Sequence, residues 1–175
     1  MRKLLALLMA IGLIVGTYSL LDHHRTSLDG PCAFCNPAVL ARQTFYEDDL
    51  VLALYTHKPI FPGHCLVIPK RHVERFEGLT DEEITEMGRA LKKVNSAVRQ
   101  VFGTSPYILL QKNGREVGQT VPHVHIHYIP RKAGDSSALW FVIKLFVRNA
   151  MKPISPEETR ENVEKLQAAI QAPVV

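Results

Sequence analysis

The sequence predicts an α+β fold: an antiparallel sheet with one long helix, flanked by an N-terminal membrane helix and a C-terminal helix. Three observations carry that prediction. Five short apolar or alternating runs read as strands, and the first three follow closely enough to form hairpins. One long amphipathic stretch separates the third run from the fourth. Strands gathered around a single helix, rather than alternating with several, indicate α+β. Finally, 175 residues leave room for one domain once the apolar N-terminus is set aside.

Residues 1–21 place Arg2 and Lys3 before an apolar run from Leu4 to Leu21, interrupted only by Gly, Thr, Tyr and Ser. Such a run, about 18 residues long, is near the minimum for a bilayer-spanning helix. A cleaved signal peptide is the rival, but Gly16-Thr17-Tyr18 makes a poor cleavage site. A single-pass anchor at residues 1–21 is therefore expected, with the membrane as a partner. Residues 22–30 read as a polar linker. The strands expected are Thr44–Glu47, Val51–Tyr55, His64–Pro69, Tyr107–Gln111 and Val121–Ile129. The long helix runs from Asp81 to about Phe102. Thr80 and Glu83 form a capping box, Ile84, Met87, Leu91, Val94 and Val98 form one apolar stripe, and Gly103 ends it. Trp140 to Arg148 is too short to span a membrane; it can pack on the sheet, form a dimer contact or rest on the bilayer, with packing the default. Ser155-Pro156-Glu157-Glu158 starts the last helix, expected over residues 156–171. With 21 Lys and Arg against 17 Asp and Glu, the charge balance gives no case for nucleic acid.

The chemistry concentrates at His123, His125 and His127, separated by Val124 and Ile126. In a strand, residues i, i+2 and i+4 share a face, so three imidazoles would form one patch. One histidine in a strand is usually structural. Three together would repel if charged, and each would need a hydrogen-bond partner if buried neutral. Upstream, Asn113 to Pro122 is a polar loop with two glycines; Gln119 and Thr120 bring neutral donors beside the imidazoles. A second segment, Pro62 to His72, sets His64 at the start of a strand and His72 past its end. Cys32-Ala33-Phe34-Cys35 is, by spacing alone, half a zinc site, a redox pair or chance. Cys65 reads as a small buried residue.

These segments resemble the histidine triad (HIT) superfamily of nucleotide hydrolases and transferases. His123 to Ile129 match the family's His-x-His-x-His followed by two apolar residues, and Pro62 to His72, Gly118 to Val121 and Phe45 to Asp49 extend the match. Gly63 to His72, Val73 to Phe76 and Pro130 to Asp135 look most like the diadenosine polyphosphate hydrolase, or fragile-histidine-triad, branch. The resemblance covers residues 31–135 and leaves 136–175 as a C-terminal extension. It implies a HIT-like fold, commonly a homodimer, acting on a nucleotide substrate. It also implies that His125 is the nucleophile, forming a covalent nucleotidyl-histidine at an α-phosphate of a dinucleoside polyphosphate or nucleoside phosphoramidate. His127 would assist the leaving group and His64 would support the cluster. Asn113, Gln119 and Thr120 would contact phosphate. The family's ribose-holding acidic or amide residue falls on Thr56, which cannot accept two hydroxyls as a carboxylate does. Bacterial relatives imply a structural zinc on Cys32, Cys35, His72 and His123, with no metal needed for the chemical step. Two alternatives stay open: a nucleotide-binding module with little turnover, and a zinc-assisted hydrolase using the triplet itself. The charge rule would place the domain outside the cytoplasm, whereas thiolates and a nucleotide substrate suit the inside.

Overall fold

The computed structural model describes residue 12, residues 31–147 and residues 151–172. Chain contacts divide the protein into Met1–Pro31 and Cys32–Val175, and the description below concerns the second unit. It holds a five-stranded sheet in the order β1-β2-β3-β5-β4. The strands are β1 (Thr44–Glu47), β2 (Val51–Tyr55), β3 (Cys65–Pro69), β4 (Tyr107–Gln111) and β5 (Ile126–Pro130). Every neighbouring pair is antiparallel. Among the described residues, four α-helices accompany them: α1 (Pro37–Gln43), α2 (Asp81–Phe102), α3 (Ala138–Val147) and α4 (Pro156–Gln171).

Local chemistry sets these boundaries. Asp48 turns β1 into β2 by accepting from the Leu50 and Val51 amides at 3.0 and 2.9 Å. The Thr80–Glu83 capping box starts α2, and Gly103 ends it in the left-handed conformation. The buried stripe of α2 is Met87, Ala90, Val94, Ala97 and Val98, while Ile84 at its start stays exposed. Ser155 caps α4 by accepting from the Glu158 amide at 3.0 Å.

The sheet has two working faces. Val51, Ala53, Tyr55, Cys65, Val67 and Tyr128 pack with α2 and α4 residues in the main core. Leu52, Leu54, Leu66 and Ile68 point the other way, toward Phe34, Leu40 and Val121. Farther along that second side, Ile129 meets Ile60 and Phe61, with Phe141 and Leu145 of α3 against them. The default packing expected for this apolar run is seen for Phe141 and Leu145, while Leu139 and Trp140 remain exposed.

Two expectations need correction. The final strand starts at Ile126, not Val121. The Val124 amide donates to the Val73 carbonyl at 2.6 Å, a contact outside the sheet ladder. β3 moreover pairs with β5 only from Cys65 to Val67, before the proline that closes it. The second correction concerns the membrane. The anchor expected at residues 1–21 and the linker at 22–30 lie outside the described residues, apart from Gly12. Among the described residues, no helix is long and apolar enough to cross a membrane. Apolar α3 has 10 residues, and at about 1.5 Å each it reaches only half of a roughly 30 Å hydrocarbon core. Longer α2 carries acidic and basic residues along its length. Among the described residues the fold is thus an α+β domain with no membrane-spanning helix, which gives the expected membrane partner and location no support.

Gly63 places His64. It has φ +87°, and a Cβ there would lie 3.0 Å from Phe102 and Val98 and 3.1 Å from Pro130. Gly63→Ala therefore combines backbone strain with overpacking and is expected to cost about 2–4 kcal/mol, measured by urea unfolding. An unchanged denaturation midpoint would contradict this.

Candidate functional site

His64 precedes β3, His127 sits on β5, and His125 lies just before β5. The Cys65–Tyr128 register brings these chain segments together. All three rings are at most 5% exposed. Their partners fix their tautomers. The Ile60 amide donates to His64 Nδ1 at 3.1 Å, so the His64 proton sits on Nε2. That Nε2–H donates to His127 Nδ1 at 3.0 Å, which puts the proton of neutral His127 on Nε2. Independently, His125 Nδ1–H donates to the His123 carbonyl at 2.7 Å, leaving the lone pair of a neutral ring on Nε2. The His125 and His127 ring centroids are 5.0 Å apart. One ring thus carries its lone pair on Nε2 and its neighbour carries a proton there, a pair able to do nucleophilic and hydrogen-bond-donor chemistry.

Both rings line a cleft of about 900 Å³, together with Phe34, Thr56, Leu66 and Thr120. Its far wall comes from α4 and the segment before it, including Ile154, Thr159 and Val163. A smaller cavity of about 30 Å³ shares His125, His127 and Thr120 with the cleft, and adds Lys112 and Gly118. Thr56 lines the cleft. Gln119 and Asn113 line neither space. The Gln119 amide accepts from the Gly114 N–H at 2.6 Å and donates to the Glu74 carbonyl at 2.8 Å. Asn113 accepts from the Phe76 amide at 2.8 Å and donates to Glu77 at 2.6 Å. Both side chains tie the glycine loop to the segment after His72.

Lys112 is the residue that sequence reasoning missed. The signal was available: Leu110 also lines the smaller cavity, and strand alternation puts Lys112 on its side and Asn113 on the other. Phe34 was missed as well. Its ring meets His125 edge-on at 5.3 Å and His123 at 5.9 Å.

His123 turns away from the cleft. Its Nε2–H donates to the Pro69 carbonyl at 2.9 Å, which leaves Nδ1 toward the cysteines. Nδ1 lies 3.5 Å from Cys32 Sγ and 3.7 Å from Cys35 Sγ, while His72 Nδ1 is 3.4 Å from Cys35 Sγ. The ligand atoms of Cys32, Cys35, His72 and His123 all fall within 4.8 Å of one another, so the group can hold a metal ion. A tetrahedral ion with bonds of about 2.3 Å to sulfur and 2.0 Å to nitrogen sets its ligands roughly 3.3–3.8 Å apart, close to these spacings. Burial lowers the His123 pKa and keeps the ring a neutral ligand. Burial, then the neighbouring Cys35, pushes the Cys32 thiol up to about 11, an effect that a bound cation reverses.

Residues 38–134 match the family profile for the HIT domain. The chain belongs to the HIT family. It is 45% identical over 95 residues to the Schizosaccharomyces pombe bis(5'-nucleosyl)-tetraphosphatase (asymmetrical), covering 54% of this chain and 52% of that protein. The chain thus spans about half the length of that curated relative. It is 38% identical over 112 residues to an uncharacterised HIT-like protein of Methanocaldococcus jannaschii, covering 63% of this chain and 86% of the other. Among solved structures, Plasmodium falciparum diadenosine triphosphate hydrolase in complex with cyclomarin A superposes with a TM-score of 0.62. It is 26% identical, over 74% of this chain and 76% of that one. The HIT match ends before α3 and α4, so part of the cleft wall is built by residues beyond it.

Proposed function

We propose that this HIT protein is a nucleotide hydrolase or nucleotidyl transferase that cuts at an α-phosphate through a covalent intermediate on His125. The observation that carries this reading is the hydrogen bond from His125 Nδ1 to the His123 carbonyl, because it commits Nε2 as the nucleophilic nitrogen beside the cleft. Two relatives are named as dinucleoside polyphosphate hydrolases, and dinucleoside polyphosphates and nucleoside phosphoramidates are the substrate classes proposed.

The Nε2 lone pair attacks the α-phosphorus and a P–N bond forms. The bond to the leaving group breaks, and its electron pair departs with the leaving oxygen. His127 Nε2–H, oriented through His64, donates a hydrogen bond to that oxygen. Water then attacks phosphorus, the P–N pair returns to Nε2, and one proton passes to solvent. Thr120 reaches phosphate oxygens, Thr56 lies on the ribose side, and Gln119 and Asn113 hold the loop in place. Cys32, Cys35, His72 and His123 are proposed to hold a structural zinc. The two-sulfur, two-nitrogen set suits that ion and fills its four positions. Bound there, the ion supplies cross-linking of the N-terminal knuckle to the histidine segment. With His123 facing the cysteines, the geometry favours this reading over a zinc held by the triplet itself.

The test is a rapid acid-free quench with labelled diadenosine tetraphosphate, followed by peptide mapping. An alkali-stable, acid-labile adenylyl group on His125 is expected. Turnover with no adduct, or an adduct on another residue, would refute the reading.

A further inference from the structure

We propose that Gln43 reads the nucleobase of the substrate, its carboxamide favouring adenine over guanine. The inference rests on the nucleotidyl-histidine reading above and adds a base preference to it.

Gln43 is the last residue of α1, lines the large cleft and is only 7% exposed. Among the described residues its carboxamide has no hydrogen-bond partner. None of their fully enclosed side-chain nitrogens and oxygens goes unpaired, so the amide of Gln43 keeps its small exposure on the cleft. The other buried polar side chains of the cleft are engaged. Thr56 Oγ1 accepts from the Lys58 amide at 3.4 Å, the Thr159 hydroxyl donates to the Ser155 carbonyl at 3.0 Å, and the two imidazoles are bonded as described above. An amide so far from bulk water and unbonded is unfavourable, and a ligand edge that bonds it recovers the loss.

The position of Gln43 matches the base end of a bound nucleotide. Thr44–Leu54, Leu54–Leu66 and Leu66–His127 are cross-strand pairs that form one row over four strands. Neighbouring strands lie about 4.8 Å apart, so Thr44 stands roughly 14 Å from His127. Thr56 falls two residues past Leu54, between the ends of that row and on the same face. A nucleotide with its phosphorus at His125 and its ribose beside Thr56 thus extends its base toward Gln43. Phe34, Val39 and Leu66 line the cleft and give apolar contact to the faces of the base. On the opposite wall, Gln167 of α4 donates to the Thr44 carbonyl at 3.3 Å and fixes that helix beside Gln43.

A carboxamide presents an acceptor beside a donor. The 6-amino group of adenine is a donor flanked by acceptors, N1 on one edge and N7 on the other, so either edge closes two hydrogen bonds with Gln43. Guanine presents two acceptors at N7 and O6. It matches the amide only through O6 and N1–H, which leaves its 2-amino donor unpaired against apolar walls.

The experiment compares the unaltered full chain with Gln43→Leu and Gln43→Glu on diadenosine tetraphosphate and diguanosine tetraphosphate. The ratio of kcat/KM values, adenine over guanine, is expected to be at least about 10 in the unaltered chain, as for one bidentate base contact. Gln43→Leu should bring the ratio to within about threefold of one. Gln43→Glu should move it toward guanine, because a carboxylate accepts from N1–H and the 2-amino group together. Thermal melts of both variants establish that the fold is retained, and the unaltered chain's own ratio tests the proposal without them. A ratio near one in the unaltered chain, or one that neither substitution moves, would overturn the proposal while leaving the His125 chemistry standing. Absence of a His125 adduct in the unaltered chain with either substrate would overturn both.

Discussion

Replacing His125 with alanine is expected to abolish the acid-labile adduct and lower turnover by at least about 10⁴-fold, as for removal of other covalent nucleophiles. No neighbouring group can take over. His127 is held through Nδ1 by His64, and His123 presents its side chain to the cysteines. The substitution leaves the backbone carbonyl of His123 without the Nδ1–H donor, beside a cleft that water can enter. The thermal midpoint should therefore shift by only a few degrees, which separates lost chemistry from lost folding. Residual turnover within about 100-fold of the parent would mean that the phosphoryl group never resides on this ring.

The second large effect concerns the knuckle. Cys35→Ser is expected to lose one equivalent of bound zinc and about 10 °C of thermal stability, corresponding to roughly 3–5 kcal/mol of linked binding free energy. Cys35 is exposed, so trimming its sulfur removes little packing by itself. A strong chelator should bring the parent down to the variant's midpoint and leave the variant where it is. Metal analysis and melts with and without chelator read this directly. A parent whose melting ignores chelation would remove zinc from the account. The site also bears on the nucleophile. Phe34 lies between Cys32 and Cys35 and packs edge-on against His125, and His123 supplies the carbonyl to which His125 donates. Loss of the ion would loosen both restraints.

Most of the architecture was legible because it is written in local chemistry. Thr80, Glu83 and Gly103 mark both ends of α2, and Ser155 with Pro156 marks the start of α4. Four of the strands fall within a residue of where apolar runs and prolines place them. The start of β5 was illegible for the opposite reason. Alternation continues through Val121 to His125, but the Val124 amide bonds to Val73, about fifty residues earlier, and only the folded chain brings them together. That departure is what lets His123 part from His125 and His127 and join Cys32, Cys35 and His72. The family resemblance implies phosphate contacts for Asn113 and Gln119; folding brings the Asn113 amide to Phe76 and Glu77 and the Gln119 amide to Gly114 and Glu74. Lys112, one residue earlier, faces the site. The apolar N-terminus suggested a membrane helix on hydropathy alone, and no such helix appears among the described residues.

The cleft draws its reactive rings and its outer wall from separate stretches of chain. His125 and His127 belong to the family-matched region, whereas Ile154, Thr159 and Val163 come after it. The wall has its own footing, since Leu166 on the same helix is fully buried in the main core. Substitutions along α4 can thus redraw which molecules are admitted while the bond-making apparatus is inherited intact. Descendants of such a chain could diversify their diet without reinventing their chemistry.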